Sequence, residues 1–203
     1  MFLGCQFSIY PMSSDFIGVI LHAIEALDRY KDRLEVATDD ISTTLIGPPD
    51  ALFPALQESF VAAATAGGHV VMNVSLSRGC PGEPDDPRCR ADLVRARNVA
   101  GEHDPAAAAV GQLRQVARSG VATAAQIALY PLGRADYMEQ IAACIGFTKR
   151  AGLFANGKHF CTKLAGDAAD VFQAIEQSFL GFGAPEDHVV LTAVVSKGSP
   201  SVA

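Results

Sequence analysis

The chain has 203 residues, and its 16 Lys and Arg against 22 Asp and Glu give a formal net charge of −6. Apolar residues make up 49% and charged residues 19% of the sequence, a composition typical of a globular protein. The acidic balance argues against a nucleic-acid partner, which needs concentrated basic residues, and no apolar stretch approaches the ~20 residues of a membrane span.

The first 80 residues predict two helices and four strands. Apolar and polar residues alternate over Cys5–Tyr10, which predicts a strand that ends at Pro11. Apolar residues recur at helical spacing from Phe16 to Leu27, after Ser13, Ser14 or Asp15 as N-cap. Two short strands, a helix and a last strand follow near 34–38, 41–46, 50–67 and 69–77. The order β-α-β-β-α-β is that of the ferredoxin-like unit.

The same blocks of sequence occur twice, 119 or 120 residues apart. Gln6–Met12 returns as Gln126–Leu132, and His69–Met72 returns as His188–Leu191. Further matches join Ile41–Gly47 with Phe160–Gly166, Phe53 with Phe172, Ser59-Phe60 with Ser178-Phe179, and Ser77–Pro81 with Ser196–Pro200. Ordered matches at a nearly constant offset indicate a duplication. We therefore predict an α+β fold of tandem ferredoxin-like (ACT-like) repeats over 1–82 and 122–203.

Residues 83–121 are predicted to be a linker. The first part of the linker is charged and rich in turn-forming residues, and the alanine run within Asp104–Arg118 predicts a connecting helix. We expect no chemistry of its own from this segment, although its length allows part of it to cover a sheet edge or a site.

In a ferredoxin-like unit both helices cover one face of the sheet, and strand alternation tells which side chains lie on the other, open face. Ile41, Thr43 and Leu45 are expected to point toward the helices. The open face of the first repeat is predicted to carry Gln6, Ser8, Tyr10, Ser42, Thr44, Asn73 and Ser75, beside Asp39 and Asp40 in a turn. Short neutral polar groups around a phenol suit a small flat polar ligand, and a turn carboxylate suits a cationic one. Packing against another sheet would explain the same pattern.

The corresponding face of the second repeat is less uniformly polar, so the two faces are expected to bind a ligand unequally. Its candidate ligand-binding residues are Gln126, Tyr130, His159, Thr192 and Ser196. His69 and His188 open the last strand of each repeat, either as a shared ligand contact or as capping residues.

The sequence carries no recognised catalytic or metal-binding motif. Its five cysteines are scattered without a C-x-x-C pair, which favours a reducing cytoplasm over a zinc site or a disulfide framework. They are Cys5, Cys80, Cys89, Cys144 and Cys161. The N-terminus also lacks the pattern of a signal peptide. His159 is the best candidate for a base, but Asp40 occupies its position in the other repeat, which argues against a shared acid/base or metal role.

Short runs in both repeats resemble the YkoF family of thiamine/hydroxymethylpyrimidine-binding proteins. They are Phe7–Met12, Ile41–Thr43, His69–Asn73 and Gly79–Gly82, then Leu129–Pro131, Asp136–Met138, Gly166–Ala168 and Asp170–Phe172. The resemblance implies two ferredoxin-like units, a homodimer, one pyrimidine or thiamine site in each unit, no catalysis, and a role in uptake or salvage of thiamine precursors. Asp40 stands where the family would have a histidine.

The expected function is therefore non-catalytic binding of thiamine or its pyrimidine moiety, with no further cofactor. The alternatives are an ACT-like regulatory module for an amino acid, a small ferredoxin-like enzyme, or a purely structural dimerisation protein. A transporter that would exchange ligand with the protein is not identifiable from the residues.

Overall fold

The computed structural model describes residues 3–80, 99 and 101–202. The strands are β1 (Leu3–Met12), β2 (Glu35–Thr38), β3 (Thr43–Ile46), β4 (His69–Arg78), β5 (Ala122–Pro131), β6 (Phe154–Gly157), β7 (Thr162–Asp167) and β8 (Val189–Lys197). The α-helices are α1 (Phe16–Glu25), α2 (Pro49–Ala66), α3 (Pro105–Val110), α4 (Tyr137–Arg150) and α5 (Ala168–Gly181). Short 3₁₀ turns cover Asp28–Tyr30 and Pro200–Val202.

All eight strands form one antiparallel sheet in the order β2-β3-β1-β4-β8-β5-β7-β6. Each half of this sheet has the strand order of a ferredoxin-like unit, so the predicted tandem fold is confirmed. The halves join along β4 and β8, where Val74 lies opposite Ala193. Because these two positions are equivalent in the duplication, a pseudo-twofold axis passes between them. Tyr10 and Tyr130 hold equivalent positions in β1 and β5, opposite Val71 and Val190.

The predicted alternation holds along β1 and β4. Phe7 and Ile9 are buried, as are the apolar residues of β4 that point toward the helices, whereas Gln6 and Tyr10 are exposed. The prediction is wrong for Ile41, whose side chain is 75% exposed. The chain turns until Ser42 and β3 begins only at Thr43, so strand alternation does not apply to Ile41.

Helices α2 and α5 pack against each other across the pseudo-twofold axis through aromatic rings. The centroids of Phe53 and Phe179 lie 6.2 Å apart, and those of Phe60 and Phe172 lie 5.5 Å apart. Phe53 is equivalent to Phe172 and Phe60 to Phe179, so the two pairs are copies of one contact. The phenylalanines shared by the two repeats therefore form the apolar interface between them.

The end of β4 reaches into the second repeat. The fully buried Arg78 donates hydrogen bonds to the carbonyl oxygens of Phe179 (3.2 Å), Phe182 (2.7 Å) and Ala184 (3.0 Å), at the C-terminal end of α5. Gly79 follows with a φ of +70°, and a Cβ there would lie 2.3 Å from the carbonyl oxygen of Asp187. Arg78 thus bonds to carbonyl oxygens at the end of α5 and in the loop that follows, and Gly79 allows the close approach of the backbone at Asp187.

The end of β8 repeats this arrangement in a weaker form. Lys197 donates to the carbonyl oxygen of Gly67 at 3.2 Å, just beyond α2. Each strand-opening histidine also lies 3.3 Å from a serine of the other repeat, in the pairs His69–Ser196 and Ser77–His188. The histidines therefore have structural partners at the junction, and the repeated Ser-basic-Gly block is the sequence of that junction.

The described part of the predicted linker packs on the second repeat. Its helix α3 is shorter than the predicted 104–118 and ends before Gly111, whose backbone N–H bonds to Ala107. The Asp104 side chain caps α3 by accepting from the Ala107 N–H at 3.2 Å. The helix lies against α4, and the Val99 N–H bonds to the Gly181 carbonyl. The charged first part of the linker and Cys89 lie outside the described residues.

Candidate functional site

A cavity of about 290 Å³ opens between β1, α1 and the turn that joins β2 to β3. We call it the first hairpin cavity. It is lined by Phe7, Ser8, Ile9, Tyr10, Ile20, Ile24, Thr38, Asp39, Asp40, Ile41, Ser42 and Thr43. Apolar groups of the sheet and α1 thus face a turn that carries two carboxylates.

The turn has a defined shape because side chains of the cavity hold it. Asp39 Oδ1 accepts the backbone N–H groups of Ile41 and Ser42, both at 2.8 Å. The bond from Ser42, and to a smaller extent that from Ile41, lowers the pKa of Asp39 below its usual range. Asp39 is therefore ionised at neutral pH. Ser8 Oγ on β1 donates to the Ile41 carbonyl oxygen at 2.7 Å, which ties the turn to the sheet. The turn therefore holds Asp40 and Ile41 at the rim of the cavity.

The second repeat has an equivalent cavity of about 350 Å³, the second hairpin cavity. Its lining includes Leu129, Tyr130, Ile141, Ile145, Lys158, His159, Phe160, Cys161 and Thr162, which match Ile9, Tyr10, Ile20, Ile24, Asp39, Asp40, Ile41, Ser42 and Thr43 of the first. Tyr10 and Tyr130 are 49% and 46% exposed, so each presents part of its ring. Phe160, which stands at the position of Ile41, is 91% exposed at the rim of the second cavity and offers a larger apolar surface than Ile41 does in the first.

The second hairpin cavity differs from the first in its polar groups. Lys149 and Phe154 line it, and the Lys149 Nζ lies 5.0 Å from the centre of the Phe154 ring. Cys161 lies 3.7 Å from the Oε1 of Gln126, a contact between the hairpin and β5. Cys144 is buried beneath the cavity, and burial raises the pKa of its thiol to about 12, so this cysteine is not a thiolate at neutral pH.

The structure brings some predicted site residues together and separates others. The first hairpin cavity contains Ser8, Tyr10, Asp39, Asp40 and Ser42, and the second contains Tyr130 and His159. The rest lie on strands of the sheet outside the lining of either hairpin cavity: Gln6, Thr44, Asn73, Ser75, Gln126, Thr192 and Ser196.

Those outlying residues have neighbours across the strands. Gln6 lies opposite Thr44 and Ser75 lies opposite Thr192. Asn73 lies between Ser8 of β1 and Val194 of β8, two residues along β4 from Val71, the partner of Tyr10.

Sequence reasoning missed the helix side of the cavities. Helical spacing over Phe16–Leu27 predicted a helix but not a cavity, whereas Ile20 and Ile24 of α1 and Ile141 and Ile145 of α4 line the cavities. The matching positions of Ile41 and Phe160 were the available signal, since an apolar residue in a polar turn of both repeats is unusual. Lys149 had no signal, because its position depends on the packing of α4 against the hairpin.

The described residues contain neither a candidate metal cluster nor a membrane-spanning helix. No group of three or more His, Cys, Asp or Glu side chains is placed to hold a metal ion there. None of the helices in that part of the chain is long and apolar enough to cross a membrane.

The sequence profile of the YKOF-related Family matches residues 2–83 and 122–202, which cover both repeats. The chain belongs to this family. It is similar to YkoF of Bacillus subtilis (strain 168), with 35% identity over 206 residues that cover 98% of this chain and 91% of the relative. The name of that relative gives HMP/thiamine binding as a provisional assignment, HMP being hydroxymethylpyrimidine. The chain is also similar to protein SP2199 from Streptococcus pneumoniae, known from a crystal structure. The match covers 37% of this chain and 84% of SP2199, with 24% identity and a TM-score of 0.35.

Proposed function

We propose that this member of the YKOF-related family binds thiamine or its hydroxymethylpyrimidine moiety in its two hairpin cavities, without catalysing a reaction. The observation that carries the proposal is the duplication of the site. Each repeat has a cavity between sheet, helix and hairpin, and each places a half-exposed tyrosine at the same strand position. The name of the Bacillus subtilis relative supports the class of ligand.

The size and lining of the cavities suit an aromatic heterocycle. Their volumes of about 290 and 350 Å³ stand at the lower end of the ~300–1,000 Å³ of small-molecule sites. The rings of Tyr10 and Tyr130 offer a stacking surface for a pyrimidine and attract a nearby cation. Aliphatic side chains of α1 and α4 offer the apolar contact on the other side.

The polar groups of the first hairpin cavity suit the polar edge of an aminopyrimidine and the positive charge of a thiazolium. Ser42 and Asp40 lie at its rim, where Asp40 supplies an acceptor and a negative charge. Ser8 is engaged with the turn, so it acts by positioning the rim. The second hairpin cavity has Cys161 and His159 in place of Ser42 and Asp40, and we expect the two sites to bind with different affinities.

We also propose that the protein forms a homodimer through the open face of the sheet, opposite the helices. Val194 is 42% exposed on that face beside Asn73, Ser75 and Thr192, and a second sheet would remove this surface from water. A cytoplasmic role in uptake or salvage of the pyrimidine is part of the same proposal. Light scattering tests the assembly: we expect the mass of a dimer, and Val194→Asp is expected to shift it toward the monomer.

Calorimetric titration with thiamine and with hydroxymethylpyrimidine tests the binding proposal. We expect two sites in the wild type and one site in each of Tyr10→Ala and Tyr130→Ala. Tyr137→Ala is the matched control, because this tyrosine is similarly exposed but lies outside both cavities.

Asn73→Ala distinguishes the hairpin cavities from the open face. We expect it to titrate like the wild type. Loss of a site in Asn73→Ala with two sites retained in Tyr10→Ala would place the ligand on the open face instead. Absence of heat with either pyrimidine would refute the function.

A further inference from the structure

The two hairpin cavities carry opposite charges. We infer that the second hairpin cavity selects a phosphorylated, anionic form of the pyrimidine ligand, whereas the first selects the uncharged or cationic form. This inference rests on the proposed function and extends it to the charge of the ligand in each repeat.

The first hairpin cavity is acidic. Its ionisable lining groups other than Tyr10 are the carboxylates of Asp39 and Asp40, and no Lys, Arg or His is among the described residues that line it. The turn geometry holds Asp39 ionised, as its bonds from Ile41 and Ser42 show. A phosphate group at this rim would meet two negative charges.

The second hairpin cavity is basic at the matching positions. Lys158 replaces Asp39, His159 replaces Asp40, and Lys149 is added from α4. No Asp or Glu occurs among the described residues of its lining. The position that corresponds to Lys149 in the first repeat is Asp28, which is paired with Lys31 at 2.6 Å outside the cavity.

The cations of the second cavity are placed for an incoming anion. The Nζ of Lys149 lies over the Phe154 ring, and no carboxylate is paired with Lys149, Lys158 or His159 in the described part of the chain. Lys158 and His159 are exposed on the hairpin, with the aromatic rings of Tyr130, Phe154 and Phe160 around the same opening. A heterocycle among those rings would therefore direct a substituent toward ammonium groups.

The chemistry of the ligand makes this difference selective. A phosphomonoester carries a charge of about −1.5 to −2 at neutral pH, and ammonium groups bind it as point charges. The thiazolium of thiamine carries a positive charge, which the carboxylates of the first cavity favour. Each exposed charge pair is worth roughly 1.4- to 5-fold in affinity. Two or three such pairs give an expected preference of roughly tenfold.

The test is calorimetric titration with four probes: hydroxymethylpyrimidine, its phosphate ester, thiamine and thiamine monophosphate. The charge-exchange variant Lys149→Asp/His159→Asp makes the second cavity resemble the first, and Asp40→His is the matched change in the first cavity. Asp39 is left unchanged because it shapes the turn. Tyr10→Ala and Tyr130→Ala assign each binding event to a repeat.

We expect the double variant to reduce roughly tenfold the preference of the second site for the phosphate ester over hydroxymethylpyrimidine, taken as the ratio of the two affinities. Asp40→His is expected to strengthen the phosphate ester at the first site, and 0.5 M NaCl is expected to remove both effects. Equal preference of the two sites for each ester and its parent pyrimidine would overturn this inference and leave the proposed function intact. Absence of binding with all four probes would overturn both. Circular dichroism of the variants excludes loss of folding as the cause.

Discussion

Replacement of Arg78 by Met should destabilise the protein strongly, because Arg78 connects the two repeats from a fully buried position. Its guanidinium donates three hydrogen bonds of 3.2 Å or less to carbonyl oxygens at the end of α5 and in the loop that follows. Methionine fills much of the same volume but donates nothing. The buried carbonyl oxygens of Phe179 and Phe182 would then lose their bonds from Arg78, whereas the carbonyl oxygen of Ala184 keeps the N–H of Asp187 at 3.0 Å.

The magnitude follows from two opposing effects. Hydrogen bonds from a charged donor contribute about 1.5–3 kcal/mol each, so three contribute about 4–9 kcal/mol. Burial lowers the pKa of Arg78 to about 10 against the opposing charges of Asp187 and Glu186, and this net shift corresponds to about 3 kcal/mol of unfavourable free energy that the substitution removes. The difference is a net loss of about 1–6 kcal/mol. At its midpoint of about 3.5 kcal/mol, Tm falls by roughly 7–14 °C for a protein of this size.

Urea unfolding followed by circular dichroism, together with calorimetric melting, measures this loss. Lys197→Met is the matched control at the equivalent position, where one part-buried bond of 3.2 Å to Gly67 is lost, and we expect about 1.5 kcal/mol there, the lower end of the range for a charged donor. The reasoning is refuted if Arg78→Met lies within 1 kcal/mol of the wild type, or if both variants lose the same free energy.

Three further changes test the turn, the junction and an ion pair. Ser8→Ala removes the 2.7 Å bond to the Ile41 carbonyl oxygen. We expect calorimetric titration to show that thiamine binds about 3- to 10-fold more weakly at the first site only. Unchanged affinity would contradict the positioning role of Ser8. Gly79→Ala should reduce the free energy of unfolding more than Gly120→Ala. Both glycines have a positive φ, but only at Gly79 would the added Cβ lie within 4 Å of a backbone atom. Urea unfolding that gives the same decrease of about 1–2 kcal/mol for both variants would argue against the contact. The bonds from Arg134 lower the pKa of Asp136 from 3.8 to about 2. As the pH decreases from about 4 to 2, the unfolded chain therefore takes up the proton first and the free energy of unfolding falls. Asp136→Asn should reduce this dependence of the free energy of unfolding on pH in acid titrations.

The duplicated fold was predictable because it depends on periodicity and repetition. Alternation along β1 and β4 separates buried from exposed side chains, and the shared Phe and Ser-basic-Gly positions mark contacts that the pseudo-twofold axis makes twice. The two tyrosines were predicted as site residues on the same basis, and Asp39 and Asp40 were predicted from their place in the turn beside the open face.

The exact site was less predictable because it depends on the turn and on helix packing. Strand alternation predicted that Ile41 points toward the helices. Because the N–H groups of Ile41 and Ser42 bond to Asp39 in the turn, β3 begins only at Thr43 and Ile41 lies at the rim of the cavity. The same alternation drew attention to Asn73 on the open face, whereas the cavities lie where α1 and α4 face the hairpins. The contribution of Lys149 follows only from the three-dimensional packing of α4.

The central claim is that each hairpin cavity binds one pyrimidine ligand, and a crystal structure of the protein soaked with thiamine tests it most directly. The account predicts electron density for the heterocycle against Tyr10 in one repeat and against Tyr130 in the other, between the helix isoleucines and the hairpin. Density for thiamine on the open face near Asn73, with both hairpin cavities empty, would contradict the account.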